Sequence, residues 1–158
     1  MKDQFVVPAR LKMTSFVLMG VGLLTLLIGL IVFQGANATR FWAGLLQNSS
    51  YFLLTALAST FFIAATTLAQ GGWQIAFRRV PEAISMAVPV LGIVLFVVVM
   101  ILVFGEKDGV YIWTNAEHVA ADRALTWKSG FLSKGFFTVA TIIPLAVWML
   151  FTIRLRRM

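Results

Sequence analysis

The sequence predicts an all-α fold, an integral membrane helical bundle of about four transmembrane helices with a short interfacial helix. Hydrophobic residues make up 60% of the 158 residues and charged residues only 12%, whereas soluble domains carry roughly 25% charged residues. The mean hydropathy is +0.92. Lipid solvates so apolar a surface, because it requires no polar groups on the outer face of a helix. The whole chain, 1–158, is therefore expected to form a single transmembrane domain.

Four apolar stretches are long enough to cross a bilayer. A hydrocarbon core of about 30 Å needs roughly 20 residues at about 1.5 Å per residue. The predicted spans cover about 16–33, 45–69, 83–104 and 135–153. The first has an alternative interpretation as a signal peptide, because a basic start precedes it and an A-x-A pattern follows at Ala36–Ala38. Its apolar run exceeds the usual signal length, which favours a retained helix.

Positive charges predict the orientation, since Lys and Arg are enriched in cytoplasmic loops. With four spans, both termini and the loop after span two share one side. That side carries Lys2, Arg10, Lys12, Arg78, Arg79, Arg154, Arg156 and Arg157. The other side carries Arg40, Lys107, Arg123, Lys128 and Lys134, diluted by Glu106, Asp108, Glu117 and Asp122. We therefore expect a multi-pass membrane protein with both termini cytoplasmic and the 105–134 loop outside.

Small residues and prolines predict how the spans pack. Small residues on one helix face let backbones approach each other in lipid; an alternative interpretation of such a face is a ligand groove. Pro89 and Pro144 lie within spans three and four and are expected to kink them. The small and hydroxyl-bearing faces consist of Gly22, Thr25 and Gly29 in span one and of Ala56, Ser59, Thr60 and Thr67 in span two.

The loop between spans two and three contains the first candidate functional residue, Glu82. Glycines at positions 71 and 72 are expected to end span two, and Pro81 to occupy the first turn of span three. Glu82 is expected to pair with Arg78 or Arg79. The functional alternative is a carboxylate at the mouth of a proton path, because acids at the membrane edge often mark such paths.

The 105–134 loop contains the other candidates, His118, Asp122 and Lys128. Thr114 to Glu117 fits a capping box, with Thr114 as N-cap, and predicts one interfacial helix over about 115–126. The i,i+4 spacing of His118 and Asp122 allows a hydrogen bond. Either a solvated pair or a proton relay with quinol contact fits this spacing. The aromatic residues expected at headgroup level are Tyr111, Trp113 and Trp127.

Several chemistries are unsupported by the sequence. The chain has no cysteine and one histidine, so it offers no thiolate ligands and no histidine pair for haem. No nucleophile–base set, phosphate loop or metal-ligand cluster is recognisable, so no catalytic or metal-binding residue is predicted. The net charge of +7 often indicates nucleic acid. Here the cations flank apolar runs, which favours anionic lipid headgroups and no nucleic acid.

The order of several motifs resembles a known family. These motifs are Phe41–Asn48 leading into Tyr51–Leu53, Phe61–Phe62, Ala69–Trp73, Phe77–Ile84, Tyr111–Trp113, Asp122, Lys128 and Phe131–Leu132. Together they are similar to the N-terminal part of the F-type membrane subunit of alternative complex III, the bacterial quinol:cytochrome c oxidoreductase. The most specific part is the series from Gln70 to Glu82, and the resemblance covers about 41–148.

The resemblance implies a non-redox-centre subunit of an oxidoreductase complex. It implies that other membrane subunits and multihaem cytochromes are partners, that they hold haem c and iron–sulfur clusters, and that quinol is the substrate of the complex. It also implies a possible proton path, to which Glu82, Asp122 and Lys128 correspond. Members of the family have more spans than this chain, so we expect the chain to be either the N-terminal part of that architecture or a divergent short subunit.

Two other functions remain open at this point. A small transporter or channel is one, although such proteins place charged groups inside their spans and the predicted spans carry hydroxyl groups instead. A structural scaffold without chemistry is the other.

Overall fold

The computed structural model describes residues 8–33, 38–105 and 109–155. Within these ranges the regular elements are helices: α1 Ala9–Val32, α2 Ala38–Leu68, α3 Arg79–Ser85, α4 Val88–Phe104, α5 Ala116–Ala121, α6 Arg123–Trp127 and α7 Lys134–Leu155. Short 3-10 helices cover Gly72–Ala76 and Ile112–Thr114. Some residues that entered the predictions of orientation and of a signal-peptide cleavage site lie outside the described ranges. They are Lys2, Ala36, Asn37, Glu106, Lys107, Asp108, Arg156 and Arg157.

Among the described residues, four helical segments are long and apolar enough to cross a membrane: Ala9–Val32, Ala38–Leu68, Arg79–Phe104 and Lys134–Leu155. The all-α prediction is confirmed, and the chain is a multi-pass membrane protein. The helices extend beyond the predicted spans, most of all at the starts of α1 and α2. Hydropathy detects only the apolar residues that cross the hydrocarbon core of the bilayer. The helices continue into more polar residues on either side, which hydropathy alone does not detect.

The third span is two helices, and this corrects the prediction of a kink within one helix at Pro89. The chain turns at Met86 and Ala87, and Pro89 lies in the first turn of α4. The first turn of a helix has no intrahelical acceptor for its N–H groups, so a proline there removes no hydrogen bond. Pro144, in contrast, lies inside α7 as predicted.

The chain divides into two compact units, one ending at Phe41 and one beginning at Trp42. In the first unit Gly29 is the buried residue of α1. A Cβ atom at Gly29 would meet the Phe41 ring at 2.5 Å, and Phe41 stacks on Phe33 with ring centroids 5.9 Å apart. Gly22 has open space around it. On the predicted small-residue face of span one, Gly29 therefore packs against an aromatic ring, whereas Gly22 does not make a close contact.

In the second unit, α2, α4 and α7 share a core formed by Leu53, Ala56, Val88 and Leu145. The helix α4 packs closely on α7, since a Cβ atom at Gly92 would meet the Met149 methyl at 2.6 Å. Near the other end of α4, Met100 contacts Thr138 at 3.7 Å. These two contacts make α4 and α7 antiparallel. The fold thus places the loop that contains Glu82 at one end of α4 and the 105–134 loop at the other.

Candidate functional site

Glu82 lies in the first turn of α3 and forms an ion pair with Arg78. The Arg78 Nε donates to the Glu82 Oε1 at 2.6 Å, and both side chains are about one-third exposed. The i,i+4 spacing places the two groups on one helix face. Pro81 beside them is buried, and the fully buried Ser85 donates its hydroxyl proton to the Glu82 carbonyl at 2.8 Å. The predicted pairing of Glu82 is confirmed, and Arg78 is its partner.

The end of α2 differs from the prediction that glycines terminate it. Gln70 has a positive φ of 51°. Its N–H donates to the Thr67 carbonyl at 3.1 Å, and the Gly71 N–H donates to the Thr66 carbonyl at 3.1 Å. These two bonds form the Schellman pattern, with Gln70 in the left-handed position that glycine usually occupies. The residue that ends α2 is therefore Gln70, one position before the first of the two glycines that were expected to end it.

Three aromatic rings pack at the same end of α2. Trp73 lies 5.3 Å from Phe77 and 6.2 Å from Phe62, measured between ring centroids, and Phe62 lies 6.0 Å from Phe77. Next to them the Thr66 hydroxyl bonds to the side-chain carbonyl of Gln74. Each aromatic pair at such a separation stabilises the fold by about 0.5–1.5 kcal/mol, in addition to the stabilisation from burying apolar surface. The Gln70–Glu82 series is therefore folded into one compact connection between α2 and α3.

The interfacial segment begins one residue later than the predicted capping box. Thr114 lies in a 3-10 helix, and its hydroxyl donates to the Tyr111 carbonyl at 2.7 Å. Asn115 is the N-cap of α5, and its side-chain oxygen accepts from the Glu117 N–H at 2.9 Å. Asn caps as well as Thr, and Thr114 is already committed to a turn. The predicted N-cap at Thr114 was therefore wrong.

Asp122 breaks the predicted single helix into α5 and α6. Its backbone is extended, and its Oδ1 accepts from the Ala124 N–H at 2.8 Å, which caps α6. Asp competes for backbone N–H groups in this way and so favours caps over helix interiors. The Thr126 hydroxyl donates to the Val119 carbonyl at 2.7 Å and holds α5 against α6. The hydrogen bond anticipated between His118 and Asp122 side chains does not occur among the described contacts.

His118 and Lys128 are both exposed, like Asp122. His118 lies in α5, and Lys128 follows the last residue of α6. Glu82 lies before α4, whereas these three residues lie after it, and the 17 residues of α4 span about 25 Å at 1.5 Å per residue. The four candidate residues therefore belong to two separate locations at opposite ends of α4.

A second aromatic group lies where the 105–134 loop meets α7. Trp113 lies 5.1 Å and Tyr111 5.8 Å from the Phe137 ring. Burial raises the pKa of the Tyr111 phenol above its ordinary value of 10.0. Trp127, which the sequence grouped with these residues, is 90% exposed. Two of the three predicted belt residues therefore pack together, and the third presents its indole outward.

A groove lies between α2 and α7, and its lining includes Thr60 from the α2 face for which a ligand groove was the alternative interpretation. The groove has a volume of about 580 Å³, and its walls include Leu57, Phe61, Ala64, Trp148 and Phe151. At its base the buried hydroxyls of Thr60 and Thr152 lie 3.4 Å apart. Thr60 and Ser59 had appeared as part of a small-residue face. Thr152, which lies opposite Thr60 on α7, could not be identified from the sequence of α2. Its position depends on how α7 packs against α2.

The described residues contain no cluster of three or more His, Cys, Asp or Glu side chains that could hold a metal ion. Comparison with protein families, curated proteins and solved structures finds no match for the chain.

Proposed function

We propose that the chain is a membrane subunit of a respiratory quinol:cytochrome c oxidoreductase of the alternative complex III type. In this role it resides in the bacterial inner membrane and supports quinol oxidation, assembly of the electron transfer chain and proton translocation, while partner subunits hold haem c and iron–sulfur clusters. The observation that carries the proposal is the Gln70–Glu82 series. Its distinctive members have defined structural roles: Gln70 ends α2, Trp73 joins an aromatic group, and Arg78 pairs with Glu82.

Co-purification tests the partner part of this proposal. The chain, extracted from its native membrane in mild detergent, should co-elute with multihaem cytochromes that show a haem c absorbance spectrum. A monodisperse species without haem-containing partners would contradict the assignment.

The proposed orientation places Arg78, Arg79 and Arg154 in the cytoplasm and the loop carrying Lys128 outside, in keeping with the positive-inside rule. Because the chain contains no cysteine, single cysteines report topology without background. An impermeant maleimide should label Ser129→Cys in intact cells and Arg79→Cys only after lysis. The reverse pattern would invert the orientation.

Glu82, His118, Asp122 and Lys128 are the proposed proton-path or quinol-contact positions, and Glu82 and Asp122 are the two carboxylates among them. Glu82→Gln keeps an oxygen for Arg78, and Asp122→Asn keeps the α6 cap, since Asn caps as well as Asp. Both variants remove a titratable group with little structural change. In the assembled complex they should slow quinol turnover or uncouple proton uptake, whereas the exposed Glu117→Gln should not.

A structural scaffold is the second candidate function, and the composition of the spans favours it. The helix α4 contains no charged or hydroxyl-bearing residue. Several hydroxyl groups of α2 and α7 donate to carbonyls of their own helix, among them those of Thr55, Thr67, Thr141 and Thr152. Unchanged quinol turnover and proton uptake in both Glu82→Gln and Asp122→Asn complexes would establish the scaffold role over the proton path.

A further inference from the structure

The groove between α2 and α7 continues to the arginine-rich end of these helices. Ala64 and Phe151 line both the 580 Å³ groove and a second cavity of about 390 Å³, whose walls also include Thr67, Leu68 and Arg78. From Leu54 to Leu68 the α2 wall extends about 21 Å at 1.5 Å per residue. The two cavities thus form one furrow that leads from the middle of the bundle to a guanidinium group.

Most of the furrow has an apolar lining and offers few free hydrogen-bonding groups to a bound molecule. The Thr60 hydroxyl lies 3.3 Å from the Ala56 carbonyl, and the Thr152 hydroxyl donates to the Trp148 carbonyl at 2.8 Å. The Thr67 hydroxyl donates to the Ile63 carbonyl at 2.7 Å. Hydroxyls that are satisfied within their own helix leave an apolar surface, so a hydrocarbon chain matches the furrow better than a polar headgroup does.

The charged end of the furrow has the opposite character. Arg78 uses Nε for its bond to Glu82, and a guanidinium carries further N–H donors in a planar fork that suits phosphate. Arg79 lies beside it in the sequence, and Arg154 lies in the last turn of α7. Cations near the headgroup level attract anionic lipids by about 1 kcal/mol each.

We infer that the furrow binds one anionic phospholipid, with an acyl chain between α2 and α7 and the phosphate at Arg78. Charge complementarity identifies the occupant, because an apolar channel that ends on a cation matches a molecule in which a hydrocarbon chain is joined to an anionic headgroup. This site is independent of the proposed respiratory function. It is also distinct from the residues at the other end of α4.

Native mass spectrometry of the delipidated full chain tests the site with two lipids of identical dioleoyl chains, phosphatidylglycerol and phosphatidylcholine. We expect one phosphatidylglycerol to be retained about fivefold more strongly, the ratio that corresponds to about 1 kcal/mol per cation. Ala64→Phe places a ring in the furrow and should reduce retention of both lipids. Its neighbour Ala65 is exposed and does not line the furrow, so Ala65→Phe is the matched control.

A second pair of variants tests the headgroup contact without filling the furrow. Arg78→Gln and Glu82→Gln both break the ion pair, but only Arg78→Gln removes the cation. Arg78→Gln should abolish the preference for phosphatidylglycerol, and Glu82→Gln should keep or increase it.

Four outcomes would overturn the inference. They are equal retention of the two lipids by the unmodified chain, equal effects of Ala64→Phe and Ala65→Phe, stronger retention of a long-chain quinone that displaces the phospholipid, and a dimer that dissociates in Ala64→Phe. The quinone result would assign the furrow to a redox lipid, and the dimer result to a second copy of the chain.

Discussion

The hydroxyl oxygens of Thr60 and Thr152 lie 3.4 Å apart across the α2–α7 contact, although the residues are 92 positions apart in the sequence. Interhelical hydrogen bonds of this kind average about 0.6 kcal/mol in membrane proteins. A double-mutant cycle with Thr60→Val and Thr152→Val should therefore give a coupling energy of about 0.6 kcal/mol in thermal or denaturant unfolding in detergent.

The matched control for this cycle combines Thr55→Val with Thr141→Val. Both hydroxyls donate to carbonyls of their own helices, at 2.9 and 2.8 Å, so their coupling energy should be close to zero. Equal coupling in the two cycles would mean that Thr60 and Thr152 do not interact.

Gly92 sets the close approach of α4 to α7. A Leu at this position would collide with Met149 and should lower the free energy of unfolding by about 1–3 kcal/mol, the usual cost of overpacking. Gly22→Leu in α1 is the control, because nothing lies within 4 Å of the added Cβ. The control should be neutral or stabilising, since Gly disfavours helix by about 1 kcal/mol. Equal stability of the two variants would contradict the packing of α4 on α7.

Gln70 adopts a left-handed conformation, which costs a residue with a side chain roughly 1–2 kcal/mol. Gln70→Gly should therefore raise the free energy of unfolding by about 1 kcal/mol. Gln47 lies within α2, and Gln47→Gly should lower stability by about the same amount, because glycine there only weakens the helix. If Gln70→Gly instead lowered the free energy of unfolding, the Gln70 side chain would make a contact that stabilises the fold by more than its left-handed backbone costs.

The raised pKa of Tyr111 predicts a loss of stability at high pH. Below the ordinary pKa of 10.0 the phenol is neutral in the folded and unfolded chains. Above it the unfolded chain ionises first, so the free energy of unfolding falls as the pH rises through this range. The free energy of unfolding of Tyr111→Phe should depend less on pH than that of the unmodified chain between pH 9 and about 11. Identical alkaline unfolding curves for the two proteins would contradict the burial of the phenol.

Much of the fold could be predicted from hydropathy, because span number depends on the local composition of each segment. The ion pair between Arg78 and Glu82 could also be predicted, since both residues lie within one helical turn. Sequence spacing determines such contacts without knowledge of the tertiary structure.

The errors arose where neighbouring residues competed for the same backbone groups. Thr114 and Asn115 can both cap a helix, and the 3-10 turn decides between them. Asp122 fits either inside a helix or at a cap, and capping of Ala124 prevails. The small-residue face of α2 left a ligand groove open as an interpretation, but the α7 wall of the groove could not be predicted, because α2 and α7 are separated by most of the second unit.

The shared direction of α2 and α7 has an electrostatic consequence. Both helices end toward Arg78, as the cavity walls containing Leu68 and Leu155 show. Their peptide dipoles are therefore aligned, and two negative poles come together at this end of the two helices. Arg154 in the last turn of α7 counters this accumulation of negative potential. Arg154 thus relieves a repulsion that the parallel arrangement of α2 and α7 itself creates.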